Sequence, residues 1–265
     1  KKQLKSIYMK DLRVSVIQWD LKWENPKSNR YEIEKILSSQ SVQTDIVVLP
    51  EMFSTGFSMN ASEICEAPGG KTEEWMKSTA LKLNCAVAGS IATKIDDRVL
   101  NRFLFVTPSD TFHYDKRHLF RMANEHKTYE AGTERVIVKW RGWRIKLEIC
   151  YDLRFPVFSR NVGDYDLLLN VANWPAKRSF HWKSLLPARA IENQACVVGV
   201  NRIGKDGNGY MFTGNSLAIT AFGETILDMG SQEGYGQAVF SSEELIKYRK
   251  KFPSYKDADS FTLHL

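Results

Sequence analysis

Three short segments set a thiol, a carboxylate and an amine beside apolar runs. The first is Leu147-Glu148-Ile149-Cys150-Tyr151-Asp152-Leu153-Arg154-Phe155-Pro156, where a hydrophobic strand ends at Cys150 and Pro156 is suited to begin a short helix. A thiol at such a strand end can point into a cleft, where backbone N–H groups favour its thiolate and can receive an oxyanion. The competing reading is a buried, inert cysteine. The second segment, Asp45-Ile46-Val47-Val48-Leu49-Pro50-Glu51-Met52-Phe53, runs a buried strand into Glu51, with Pro50 enforcing extended geometry just before it. That carboxylate either leaves the sheet for solvent or sits at the strand's C-terminal end, where open α/β sheets place ligands. In the third, Phe112-His113-Tyr114-Asp115-Lys116-Arg117-His118-Leu119-Phe120, Lys116 follows an alternating strand and precedes an apolar pair. It is either a surface charge, the usual role of lysine, or a partly buried cation able to stabilise a thiolate and a tetrahedral oxyanion.

The elements that would hold these groups are strands recurring along the chain. Val14–Ile17, Ile46–Leu49, Ala86–Ile91, Phe103–Val106, Val136–Val138, Leu167–Val171, Val197–Val200 and Leu217–Ile219 are apolar and β-branched, several nearly continuous, as in strands covered on both faces. Helical patterns lie between them. One starts at Asn25-Pro26 and aligns Ile33, Ile36 and Leu37; another starts at Lys71 and aligns Met76, Ala80 and Leu83; a third covers Ser179–Gln194, with a kink or restart expected at Pro187. Asn208-Gly209 and Phe222-Gly223-Glu224 read as hairpin turns, which favours mixed over purely parallel sheets. No linker or internal repeat interrupts the order, so a single α/β domain over residues 1–265 is expected. Residues 1–10 form an N-terminal extension in this reading, and residues from about 245 to 265 a C-terminal tail.

Composition excludes several classes. The net charge of +6 and pI near 9.0 come partly from lysines at the start and from Lys247, Arg249, Lys250 and Lys251. These read as a solvated face, since no nucleic-acid module accompanies them. The four cysteines, at 65, 85, 150 and 196, form no CxxC, and the histidines form no zinc-ligand spacing. Reduced thiols, a cytoplasmic setting and no metal follow as expectations. No apolar run is long enough for a transmembrane helix, so no membrane partner is expected. The stretch Gly204-Lys205-Asp206-Gly207-Asn208-Gly209 has neither a P-loop ending nor dinucleotide-fingerprint spacing, so it reads as a hairpin or pocket loop and implies no nucleotide cofactor.

Together the three segments resemble the nitrilase superfamily of carbon–nitrogen hydrolases, whose members carry a Glu–Lys–Cys triad in this order. Leu49-Pro50-Glu51, Tyr114-Asp115-Lys116 and Ile149-Cys150-Tyr151-Asp152-Leu153-Arg154-Phe155-Pro156 match its three motifs, and Glu125, ahead of Gly132, matches its second glutamate. Ala172-Asn173-Trp174-Pro175, Ala188-Arg189-Ala190-Ile191-Glu192-Asn193 and Asn201-Arg202 extend the match. Within the superfamily the chain is most similar to the omega-amidases, or 2-oxoglutaramate amidases, through His118-Leu119-Phe120-Arg121-Met122, Asn173-Trp174-Pro175 and Gly207-Asn208-Gly209.

The resemblance implies a four-layer α-β-β-α sandwich with mixed sheets, a homodimer with the C-terminal tail near its interface, and no cofactor. It implies Cys150 as nucleophile, Glu51 as base, Lys116 and the Tyr151 backbone N–H as oxyanion stabilisers, and Glu125 as support for Lys116. The implied substrate is a small α-keto acid with a terminal amide. Its carboxylate needs a donor from Arg154, Arg117 or Arg121, with Asn173 beside it and Trp174, Phe57 and Met122 as an apolar wall. A carbamoylase or broad aliphatic amidase would share the triad. A non-catalytic binding scaffold would have no need of all three triad residues.

Overall fold

The computed structural model describes residues 9–40 and 43–264. Alternation with period two fixes the architecture. In β1 (Leu12–Gln18), β2 (Ile46–Val48) and β3 (Ala86–Ile95), the side chains of Leu12, Val14, Val16, Ile46, Val48, Ala86 and Ala88 point one way. Those of Ile17, Val47, Leu49 and Val87 point the other way. Both sets are buried, so the sheet is covered on both faces. The second set meets Ile33 and Leu37 of α1 (Pro26–Ser38) and Met76 and Ala80 of a later helix, Lys71–Leu83. Ile33, Leu37 and Met76 each contribute about 1.5–3 kcal/mol on burial. The Asn25 side chain caps α1 by accepting from the N–H of Ser28. A short α2 (Ala61–Ile64) precedes the Lys71–Leu83 helix, which is α3.

The first set meets a second sheet. The first sheet continues through β4 (Arg98–Val106) and β5 (Thr111–Asp115); the second contains β6 (Ile137–Trp140), β7 (Trp143–Ile149), β8 (Leu167–Val171) and β9 (Cys196–Val200). A small hairpin of β10 (Ile203–Lys205) and β11 (Met211–Thr213) stands apart. The second sheet then ends in β12 (Leu217–Ile219) and β13 (Thr225–Asp228), and the chain returns to the first sheet as β14 (Gly234–Phe240). Outside the second sheet lie the short α4 (Pro156–Ser159) and the long α5 (Ser179–Asn193), whose Trp182, Leu186 and Ala190 are buried against it. Gly199 of β9 admits this approach, because a Cβ there would overlap Leu186 and Trp182. The protein is therefore a four-layer α-β-β-α sandwich.

A repeat absent from the residue types is present in the pairing. The first sheet runs β14-β1-β2-β3-β4-β5 and the second β6-β7-β8-β9-β12-β13. In both, the successive pairings are antiparallel, parallel, parallel, antiparallel and antiparallel. Strand β2 thus holds the same place in its sheet as β8 in the other.

Two expectations change. Pro187 does not restart α5 as a separate element; the helix is continuous from Ser179 to Asn193. The basic residues near 250 belong to α6 (Ser242–Lys251), with Glu243 and Glu244 in its first turn and Arg249, Lys250 and Lys251 in its last, as the helix dipole favours. Leu245 is buried, and Arg249 pairs with Asp166 at 2.6 Å while donating to the carbonyls of Tyr165 and Gln194. Arg249 is therefore an internal tie and not a solvated charge. Of the N-terminal extension, residues 1–8 lie outside the described residues; Met9 packs against the inter-sheet core and the Lys10 carbonyl accepts from the Trp143 indole at 2.7 Å.

Candidate active site

The three segments meet at one end of the sandwich. Glu51 follows β2, Lys116 follows β5, and Cys150 follows β7, so two groups come from the first sheet and the thiol from the second. Beyond Leu49 the chain stays close to β3, through the bonds from Leu49 N–H to the Ala88 carbonyl and from Phe53 N–H to the Ser90 carbonyl. Glu51 is thereby held inside the protein. Cys150 opens a 3₁₀ turn, Cys150–Arg154, with φ +46° in the left-handed region. That is a costly conformation for a residue with a Cβ, and such strain is common where a side chain must be aimed. The first N–H groups of a 3₁₀ turn have no partner within it, which leaves the Tyr151 N–H available beside the sulfur.

Glu51 and Glu125 are held by a dense set of hydrogen bonds. Lys116 Nζ donates to Glu51 Oε1 at 2.8 Å and to both oxygens of Glu125 at 3.0 Å. Asn101 Nδ2 bridges Glu51 at 2.8 Å and Glu125 at 3.2 Å, and its own oxygen accepts from Ser90 at 2.8 Å. Glu51 Oε2 accepts the backbone N–H of Asn173 at 2.8 Å, and the Asn173 side chain donates back to the Glu51 carbonyl. The ends of the equivalent strands β2 and β8 are thus tied reciprocally. A carboxylate offers about four acceptor positions; three of those on Glu51 are used, leaving one on Oε2.

Charge follows from this geometry. Burial alone would drive the Lys116 amine down, but Glu125 and Glu51 outweigh it and hold it above the ordinary lysine range. Burial, with Glu51 beside it, raises Glu125 despite Lys116. Burial and then the charge of Glu51 push the Cys150 thiol well up, with Lys116 opposing. These directions favour a neutral thiol and a charged amine. Cys150 Sγ has a weak contact with the Asn173 carbonyl at 3.9 Å.

Glu51, Phe57, Lys116, Cys150, Tyr151, Arg154, Asn173 and Trp174 line one narrow pocket of about 30 Å³. The Arg154 guanidinium lies 4.8 Å over the Trp174 ring and its Nη2 is 2.9 Å from His181 Nδ1; Lys116 Nζ is 5.1 Å from the Phe57 ring centre. Glu125 sits behind Lys116, fully buried. Three expected residues are not brought in. Arg117 faces a neighbouring cleft together with Arg121. Met122 is 77% exposed, so it forms no apolar wall; Phe120 and Pro175 take that place.

Sequence reasoning missed four contributors. Arg178 lines the pocket opposite Arg154 and lies over the Phe120 ring at 5.4 Å. Asn101 and Ser90 orient the carboxylates. Asp152, fully buried, accepts from Tyr114 Oη (2.7 Å), Ile149 N (2.9 Å), His118 N (3.0 Å) and His118 Nδ1 (2.7 Å). It therefore joins the turn bearing Cys150 to the loop after Lys116. The signal available was a polar residue in an apolar strand for Asn101, and an unexplained acid two residues after the thiol for Asp152. Among the described residues no group of His, Cys, Asp or Glu is arranged to hold a metal ion. The Gly204–Gly209 stretch forms the end of β10 and the turn toward β11, with Gly209 at φ +85°.

The sequence pattern of the carbon–nitrogen hydrolases matches residues 13–250. The chain belongs to the carbon–nitrogen hydrolase family. It is 48% identical over 261 residues to the omega-amidase YafV of Yersinia enterocolitica, covering 96% of this chain and 100% of that protein. It is 33% identical to the 2-oxoglutaramate amidase of Bacillus subtilis, over 92% and 96% of the two chains. Among solved structures, XC1258 of Xanthomonas campestris, a CN-hydrolase superfamily protein with an arsenic adduct in its active site, superposes with a TM-score of 0.94 at 44% identity, covering 96% of this chain and 100% of that one. This carbon–nitrogen hydrolase shares its fold with such proteins over nearly its whole length. Among the described residues, no helix is long and apolar enough to cross a membrane.

Proposed function

We propose that this carbon–nitrogen hydrolase removes the terminal amide of a small α-keto acid, such as 2-oxoglutaramate or 2-oxosuccinamate, through a Cys150 thioester. The observation that carries the reading is the joint lining of one pocket by Cys150, Glu51 and Lys116 with Arg154 and Arg178 at its rim. Neither arginine has a carboxylate partner among the described residues, so both are free to receive the substrate's own. The names of the similar amidases support the same choice.

The unfilled acceptor position on Glu51 Oε2 takes the thiol proton as sulfur attacks the amide carbon. The carbonyl oxygen becomes an oxyanion held by Lys116, already charged, and by the Tyr151 N–H. As the C–N bond breaks, Glu51 passes its proton to the leaving nitrogen and ammonia departs. Glu51 then accepts a proton from water, whose oxygen attacks the thioester carbon; the thiolate leaves and regains the proton, and the dicarboxylate is released. Glu125 holds Lys116 from behind throughout.

Ammonia release from a panel of amides tests this. The two keto-acid amides should exceed butyramide in kcat/KM by about 10–200-fold, the equivalent of one charge-assisted contact of about 1.5–3 kcal/mol. Preference for a neutral amide or an N-carbamoyl compound would overturn the substrate and leave the Glu–Lys–Cys chemistry standing. We also infer a homodimer through the outer face of α5, where Phe180 and Ile191 are exposed; a monomer mass by light scattering would refute it.

A further inference from the structure

Across Tyr151 from the catalytic pocket lies a wider cleft of about 440 Å³. Arg117, His118, Arg121 and His126 form its polar edge, and Tyr151 and Phe155 part of its floor. No carboxylate lines it. Arg117 and Arg121 have no acidic partner among the described residues, whereas Arg98, Arg102 and Arg135 each hold one at their own sites. The single hydrogen bond of the Arg117 guanidinium is a long one, 3.3 Å, to the Gly132 carbonyl. His126 Nδ1 is buried with no partner among the described residues. His118 commits Nδ1 to Asp152 and leaves Nε2 open. Two guanidinium groups gathered in one concavity with no carboxylate of their own raise its potential, and their donors suit a group with several oxygens.

We propose that this cleft binds a small oxyanion, a carboxylate or a phosphate group, at a site separate from that of the scissile amide. The two sites share Tyr151. Its ring lies 5.0 Å from Phe120, in the catalytic wall, and 5.1 Å from Phe155, which stacks on His118 at 3.8 Å. An anion drawn against Arg117 and His118 therefore bears on the turn that carries the nucleophile.

The test uses the Cys150→Ala protein, so its outcome does not depend on which amide is cleaved. It is titrated by calorimetry with inorganic phosphate and, separately, with succinate. The expected result is a saturable site for at least one probe that Arg121→Ala or Arg117→Gln weakens at least about tenfold and that Arg178→Ala leaves within about twofold. The Arg121 side chain is exposed and makes no hydrogen bond among those described, so its removal should not disturb folding. Binding of phosphate alone marks the ligand as a phosphate compound; binding of succinate alone marks it as a carboxylate. No saturable binding of either probe overturns the proposal. So does binding that Arg178→Ala abolishes and Arg121→Ala leaves intact, because all anion binding would then belong to the catalytic pocket.

Discussion

Asp152→Asn removes one negative charge and changes almost no volume, yet four donors converge on that carboxylate. An amide has one oxygen and one NH2 group, so two donors must face the NH2. If it lies on the side of Ile149 and Tyr114, the tyrosine hydroxyl can turn to accept but the Ile149 N–H is orphaned. If it lies on the side of His118, the imidazole can change tautomer but the His118 N–H is orphaned. Either orientation leaves one buried backbone N–H unsatisfied, costing about 1–3 kcal/mol. The remaining bonds also lose the charge that makes them roughly twice as strong as neutral ones. The expected destabilisation is about 2–5 kcal/mol, measured by urea unfolding. The two segments being released carry Cys150 and Lys116, and a misplacement near 1 Å costs on the order of 10²-fold in rate. The fall should therefore be in kcat, in protein that circular dichroism shows to be folded. A variant within about 0.5 kcal/mol of wild type and with unchanged kcat would refute the assignment of Asp152 as the tie between turn and loop.

Cys150→Ala should abolish turnover with the fold intact, and residual ammonia release would remove Cys150 as nucleophile. Cys150→Gly should unfold at no lower urea concentration than Cys150→Ala, because a Cβ at left-handed φ costs roughly 1–2 kcal/mol, against about 0.5–1 kcal/mol for glycine's freedom when unfolded; a clearly weaker glycine variant would contradict the strained turn. Glu51→Gln should slow acylation by roughly 10²–10⁴-fold in rapid-mix assays, whereas Lys116→Met should also lose about 3–5 kcal/mol of stability by stranding two buried carboxylates; equal stability of the two variants would speak against the buried network. Burial would raise the Asp166 carboxyl, but Arg144 and Arg249 hold it below the ordinary aspartate value. A depressed folded pKa gives stability that is present above the unfolded value, near 3.9, and lost as pH falls through the folded one. The stability gap between wild type and Asp166→Asn should thus narrow as pH drops from about 5 to about 2; a gap independent of pH would refute the linkage.

The strands bearing the site were legible because burial on both faces demands apolar runs, and Glu51 and Cys150 stand where two such runs stop. Lys116 was legible only through what surrounds it, since lysine alone reads as surface. Asp152 and Arg178 were not, because their roles depend on contacts across the fold: Asp152 meets Tyr114 38 residues away. Met122 shows the converse, an apolar side chain left in solvent where residue type suggested a wall. In β14, the run Gly234-Tyr235-Gly236-Gln237 carries little strand propensity of its own; pairing along the whole of β1 makes it a strand. The matching order of the two sheets was invisible for a related reason, since strand partners are not written in residue types.

That last strand also sets a timetable for the protein's birth. Ser15 of β1 and Tyr235 of β14 share a 2.7 Å hydrogen bond across 220 residues of chain. A ribosome adding about 5–20 residues per second leaves β1 an open edge for on the order of ten seconds or more, a ready template for pairing with another nascent chain. The closing contact is also among the longest loops the chain must form, which makes it a slow step in folding. A message truncated shortly before β14 would leave all of Glu51, Lys116 and Cys150 in the product, and with them a sticky rim. Until β14 emerges, the edge of β1 therefore has no partner strand to cover it.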